Sequence, residues 1–224
     1  MDAATVIAEL RAQANTRNVE GMARYGISST NTLGISIPVL RALARRAGHD
    51  HALALALWDS AIHEARILAA MVDEPAKVTK RQMDRWAADF DSWDVVDGCC
   101  SVLFDKTPYA YEKALQWSAA RHEYVKRAGF VLMAALAVHD KKAPDADLLQ
   151  FLPVILRESA DERNFVKKAV NWALRQIGKR NRRLNAAAIK TGGQILATDT
   201  RAGRWIARDA LRELRSDAVQ SRLK

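Results

Sequence analysis

Cysteine is scarce in this chain, and its placement excludes more than its number. The only two, Cys99 and Cys100, are neighbours, a spacing that forms no ordinary structural disulfide and no Cys-x-x-Cys motif. They read as small core residues of a protein kept in a reducing compartment. The five histidines (His49, His51, His63, His122 and His139) are scattered, and His63-Glu64 has no second histidine four residues on. No metal site is therefore expected. The phosphate-loop and dinucleotide fingerprints are missing, as are the Gly-x-Ser-x-Gly and Cys/His nucleophile patterns, so no cofactor is expected. No run of about 20 apolar residues exists to span a membrane. The start, MDAATVIAEL, lacks a basic segment ahead of an apolar core, so no secretory signal is read there and a cytoplasmic location is expected. Glycine (10) and proline (5) are few among 224 residues, and no stretch alternates β-branched residues as a strand would.

What remains is rich in Ala, Leu, Arg and Lys, the residues that lose least on becoming helical. The sequence predicts helices over 3–14, 18–25, 37–47, 50–59, 62–72, 78–89, 93–104, 108–118, 122–138, 145–158, 162–179, 183–196 and 201–219. No Pro/Ser-rich linker divides them, so one domain over 1–224 is expected. Several helices begin alike: EARILAAMV (64–72), VKRAGFVLMAAL (125–136), VKKAVNWALRQI (166–177) and RWIARDALREL (204–214). Their matching cations, Arg66, Arg127, Lys168 and Arg208, are separated by one long interval and then by two of about 40 residues, the period of HEAT-like helix pairs. A single pair cannot bury its own apolar faces, whereas a stack can. The expected fold is thus all-α: a HEAT-like helical-repeat solenoid, a curved superhelix whose second helices line a concave basic groove. An irregular helical bundle is the competing reading.

Charge is polarised along the chain. Residues 1–120 hold 13 Lys and Arg against 15 acids, and residues 121–224 hold 22 against 11. Such asymmetry points to a polyanionic partner. If second helices share a face, Arg66, Lys126, Arg127, Lys167, Lys168, Arg175 and Arg208 form one stripe. The stretch RNFVKKAVNWALRQIGKRNRR (163–183) has eight cations and no acid. Lys168, Trp172 and Arg175 follow i, i+4, i+7 spacing and share a helix face. Either Trp172 stands among cations at the surface, or it turns inward as core.

Residues 91–97 read DSWDVVD. Asp91 or Ser92 suits a helix N-cap, and Asp94 suits the first turn, where the dipole favours an acid. Asp97 has no such explanation. It lies one turn beyond Trp93, next to Val96 and the Gly98-Cys99-Cys100 run, where an acid must find a cation, hydrogen bonds or a ligand. A ring and a carboxylate on one face can together recognise a cation. Alternatively, Asp97 bonds Arg127 or backbone amides and stabilises the repeat.

Taken together, MARY (22–25), LGISIPVLR (33–41), DSWDVVD, VKRAGF (125–130) and VKKAVNWALR (166–175) resemble the DNA alkylation repair family of HEAT-like, AlkD-like DNA glycosylases. The resemblance implies a monofunctional enzyme that removes cationic N3- and N7-alkylpurines from duplex DNA; a monomer is expected. It implies that Asp97 is the catalytic carboxylate and that Trp93 and Trp172 contact the lesion-bearing nucleotide. Arg127 would hold the DNA backbone, and Tyr25 would touch DNA near the lesion. Lys126, Lys167, Lys168 and Arg175 are expected to add DNA contacts. The chain departs from the active family pattern after Tyr25, where GISSTNT replaces bulkier apolar residues. That departure keeps two alternatives open: a non-catalytic protein binding damaged or branched DNA, and a scaffold for an acidic protein.

Overall fold

A computed structural model of the chain describes residues 1–223, which fall into two compact units, one from Met1 to Thr107 and the other from Pro108 onward. The first unit holds α1 (Ala3–Ala12), α2 (Thr16–Ala23), α3 (Ile37–Ala47), α4 (His51–Asp59), α5 (His63–Val72), α6 (Lys80–Ala88) and α7 (Trp93–Val102), followed by a 3₁₀ turn at Phe104–Lys106. The second holds α8 (Ala110–Ser118), α9 (Glu123–His139), α10 (Asp145–Leu149), α11 (Phe151–Glu158), α12 (Asn164–Gly178), α13 (Arg182–Ala197), α14 (Arg201–Leu214) and α15 (Asp217–Gln220). No strand occurs among the described residues, and none of their helices is long and apolar enough to cross a membrane.

Local chemistry explains many of the helix starts. Asp2, Asn15, Asp50, Thr79, Asn181 and Thr200 each accept the amide three residues on, which satisfies a donor the helix cannot use. Two stretches expected as single helices are interrupted. In 145–158 the chain breaks between Leu149 and Phe151. Pro153 has no amide hydrogen and would crowd the Leu149 carbonyl in a continuous helix. Restarting at Phe151 puts the proline in a first turn, where no donor is needed. In 201–219, α14 stops at Leu214, and the carbonyl left orphaned there accepts from Gln220 Nε2 at 2.6 Å and Asn185 Nδ2 at 3.3 Å.

The first unit is centred on α5, which packs against α3, α4 and α7. Trp58 and Trp86 stack nearby with centroids 4.0 Å apart and planes 3° from parallel, and both are buried. In the second unit α9 lies between α8 and α12, and α12 also packs on α13 and α14. The run Ala128–Ala137 is buried throughout, as an all-round apolar helix must be. Gly129 permits the closest approach in this stack: a Cβ there would lie 2.4 Å from the Ser118 nitrogen.

Side chains of α5, α9 and α12 reach backbone carbonyls further along the chain. Arg66 donates to the Asp89 carbonyl (3.1 Å), Arg127 to the Phe165 carbonyl (2.8 Å), and Asn171 of α12 to the Ile206 carbonyl of α14 (3.1 Å). This corrects the expected stripe of open cations. Arg66 is largely covered and lies over the Trp58 ring, and Arg127 is 6 % exposed. Lys126 is buried on Glu158 (2.6 Å) and Asp161 (3.3 Å). Burial of these heads is affordable because each is bonded. Lys168 and Arg208 are exposed, and Lys167 and Arg175 partly so.

Candidate functional site

The expected site residues of the first unit converge. Tyr25, Trp93 and Asp97 all line one cleft of about 1010 Å³, large enough for a nucleotide-sized ligand. Trp93 opens α7 and Asp97 follows one turn later, so both project to the same side, and both are partly exposed. The Trp93 indole nitrogen donates to the Tyr25 carbonyl at 3.0 Å, which fixes the ring beside Tyr25, itself 72 % exposed. Three exposed arginines, Arg17, Arg24 and Arg41, line the same cleft. Sequence reasoning missed them because residues 1–120 carry a net acidic balance. The available signals were Arg24 within MARY (22–25) and Arg41 at the end of LGISIPVLR (33–41).

The start of α7 is anchored by a polar cluster. Asp94 Oδ1 accepts the Ser92 hydroxyl (2.6 Å) and the Val95 amide (3.0 Å), and Oδ2 faces His63 Nε2 at 2.9 Å. Of the two expected N-cap residues, Asp91 and Ser92, Ser92 holds the position, but its hydroxyl caps no amide and is turned to Asp94, whose carboxylate takes the Val95 amide. Burial by itself would depress the His63 pKa; the Asp94 hydrogen bond and charge, helped by Glu64 and Asp91, outweigh it and raise the value. Burial would likewise raise Asp94, yet His63, the Ser92 hydroxyl and the Val95 amide hold it below the usual range. Burial pushes the neighbouring Cys99 thiol well upward, so it supplies no thiolate nucleophile.

The loop after Tyr25 is held rather than loose. Gly26 (φ 76°) reverses the chain after α2, as expected for a helix-ending glycine. Glu64, fully buried, accepts the amides of Leu33 (2.8 Å), Gly34 (2.6 Å) and Ile35 (3.2 Å). Gly34 has φ 76°, and a Cβ on it would meet the Asn15 carbonyl oxygen at 2.3 Å. Glu64, Gly34 and Ile35 form part of the cleft wall, so the carboxylate that pins the loop also shapes the site.

In the second unit, Lys168, Trp172 and Arg175 lie on the accessible side of α12, with Trp172 partly exposed. Arg175 contacts Asp209 at 3.3 Å and also Glu213, so its charge is offset. Lys167 lies with its ammonium 5.2 Å from the centroid of the Trp205 ring. Arg127 and Lys126 lie inward, bonded as described above. Among the described residues no group of three or more His, Cys, Asp or Glu could hold a metal ion.

Over its described residues the chain is all-helical, and each unit is built of helices packed on one another, the architecture of HEAT-like repeat proteins. A solved protein described as one of "a new family of proteins related to the HEAT-like repeat DNA glycosylases with affinity for branched DNA structures" superposes with a TM-score of 0.78. It is 17 % identical, over 95 % of either chain. The family described as "DNA alkylation repair enzyme" matches residues 6–214, and the chain belongs to that DNA alkylation repair family. No curated protein sequence matches it.

Proposed function

We propose that this protein binds duplex DNA and hydrolyses the N-glycosidic bond of cationic N3- and N7-alkylpurines, with Asp97 as the catalytic carboxylate. The observation that carries this reading is the meeting of Trp93, Asp97 and Tyr25 at one arginine-lined cleft. An alkylated purine already bears positive charge, so it leaves as a neutral base with the electron pair of its glycosidic bond. Positive charge then develops on the sugar, where a fixed carboxylate lowers the barrier. Water adds to the sugar carbon and loses its proton, leaving an abasic site. The Trp93 face and the Asp97 charge together favour a cationic ligand over a neutral purine. Trp172, Lys167, Lys168 and Arg175 of the second unit are assigned to contact with DNA, and Arg127 and Lys126 to holding the helices that carry them.

A second reading, DNA binding without catalysis, is favoured by the polar loop after Tyr25 and by the branched-DNA affinity of the solved relative. Release of N7-methylguanine and N3-methyladenine from duplex DNA separates the two. The wild type releases base and Asp97→Asn loses about 100-fold or more of that rate, the scale of one electrostatic group. If both are silent while duplex binding persists, the catalytic reading falls and the binding reading stands.

A further inference from the structure

We infer that a second nucleic-acid subsite lies between α12 and α14, built on Trp205 and four arginines, and that it takes an unpaired strand. This inference rests on nucleic acid as the partner, not on the glycosidic chemistry. The observation is an indole 42 % exposed at the surface of a cleft of about 510 Å³. Lys167 approaches it from α12, and Arg201, Arg204, Arg208 and Arg212 line the cleft from α14. A lone exposed ring is ordinary on a protein surface; what sets this one apart is the five cations gathered around it.

The lining decides what that partner is. Five cations meet one acid, Asp209, which already bonds Arg212 at 2.5 Å and contacts Arg175. Arg204 is tied to Asp199. Among the described residues no carboxylate pairs with Lys167, Arg201 or Arg208. The cleft therefore carries uncompensated positive charge around an aromatic face. Arg204, Arg208 and Arg212 recur every fourth residue, so they step along α14 by about 6 Å, comparable with the separation of neighbouring phosphates in an extended strand. A ring for stacking beside cations that follow a backbone is how unpaired strands are held without sequence preference. Bases inside a duplex present no free face to such a ring, whereas a tail, flap or gap does.

The test compares full-length wild type and Trp205→Ala on a blunt duplex and on the same duplex bearing an unpaired thymidine tail. The expected result is that wild type prefers the tailed duplex, and that Trp205→Ala weakens tailed binding about tenfold while blunt binding is unchanged. Trp205→Phe retains the preference, and Arg208→Ala lowers the salt slope on the tailed duplex by about one unit. Thermal melting of each variant shows that it is folded. Equal loss on both duplexes overturns the inference, since the cleft then reads duplex backbone alone. No loss on either overturns it too and leaves an acidic protein surface as the occupant. Wild type that binds neither duplex would sink the DNA reading itself, a different result from normal blunt binding with an indifferent tail.

Discussion

Arg127 illustrates how a residue's surroundings redirect its role. A guanidinium near the start of an apolar helix resembles a phosphate clamp on paper, yet it is 6 % exposed and donates to the Phe165 carbonyl at the head of α12. Truncating it strands buried polar groups, which costs about 1–3 kcal/mol. Arg127→Ala is therefore expected to lower the melting temperature and to leave the salt slope of DNA binding nearly unchanged. A slope reduced by one unit with full stability would return Arg127 to the DNA backbone. Lys126 follows the same logic, with Glu158 and Asp161 around it. Lys168, exposed on α12, is expected to do the opposite: Lys168→Ala keeps the melting temperature and lowers the slope by about one.

At the scale of elements, two devices hold the walls of the first-unit cleft. One is the ion pair between His63 on α5 and Asp94 at the head of α7. His63 is raised above its ordinary value near 6.5, so its contribution is full below that pH and fades as pH rises through the raised native value. Asp94 is lowered from about 3.8, so its contribution is full above that pH and fades as pH falls through the native value. The pair is intact between those limits. Melting curves against pH are expected to show a decline on the alkaline side of 6.5 that is absent in His63→Gln. The other device is Glu64 with the Leu33–Ile35 amides. Glu64→Gln removes one acceptor from three bonded donors and is expected to cost about 1–3 kcal/mol, read as a lower midpoint in urea. Hydrogen exchange at the Leu33, Gly34 and Ile35 amides should quicken in step.

Element by element, the helices were largely legible, because helical propensity and capping act within one turn. The breaks at Leu149 and Leu214 were not. Pro153 was visible, but where the chain would restart depended on packing, and the partners of the Leu214 carbonyl lie on α13 and α15. The glycine of VKRAGF was visible as a motif. Its reason, the Ser118 backbone against α9, was not.

For the whole molecule, charge is the controlling quantity. Residues 108–224 hold 23 Lys and Arg against 12 Asp and Glu, and residues 1–107 hold 12 against 14. Duplex affinity is expected to fall steeply and log-linearly with salt. Charge-removing substitutions at the exposed cations of the second unit should flatten that line more than equal substitutions elsewhere. A salt-independent affinity would instead point to an apolar or protein partner.

Sequence alone determined the helical class and the family, and set Trp93 and Asp97 one turn apart, because each is a pattern of spacing along one chain. Tertiary structure decided which cations reach solvent. It turned Arg66, Lys126 and Arg127 into staples, left Lys168 and Arg208 open, and placed Trp205 among arginines instead of in the core. The reason is physical. A charge is stabilised wherever it finds a partner, and its partner can be a carbonyl or carboxylate about 20 to 40 residues away that no local pattern announces.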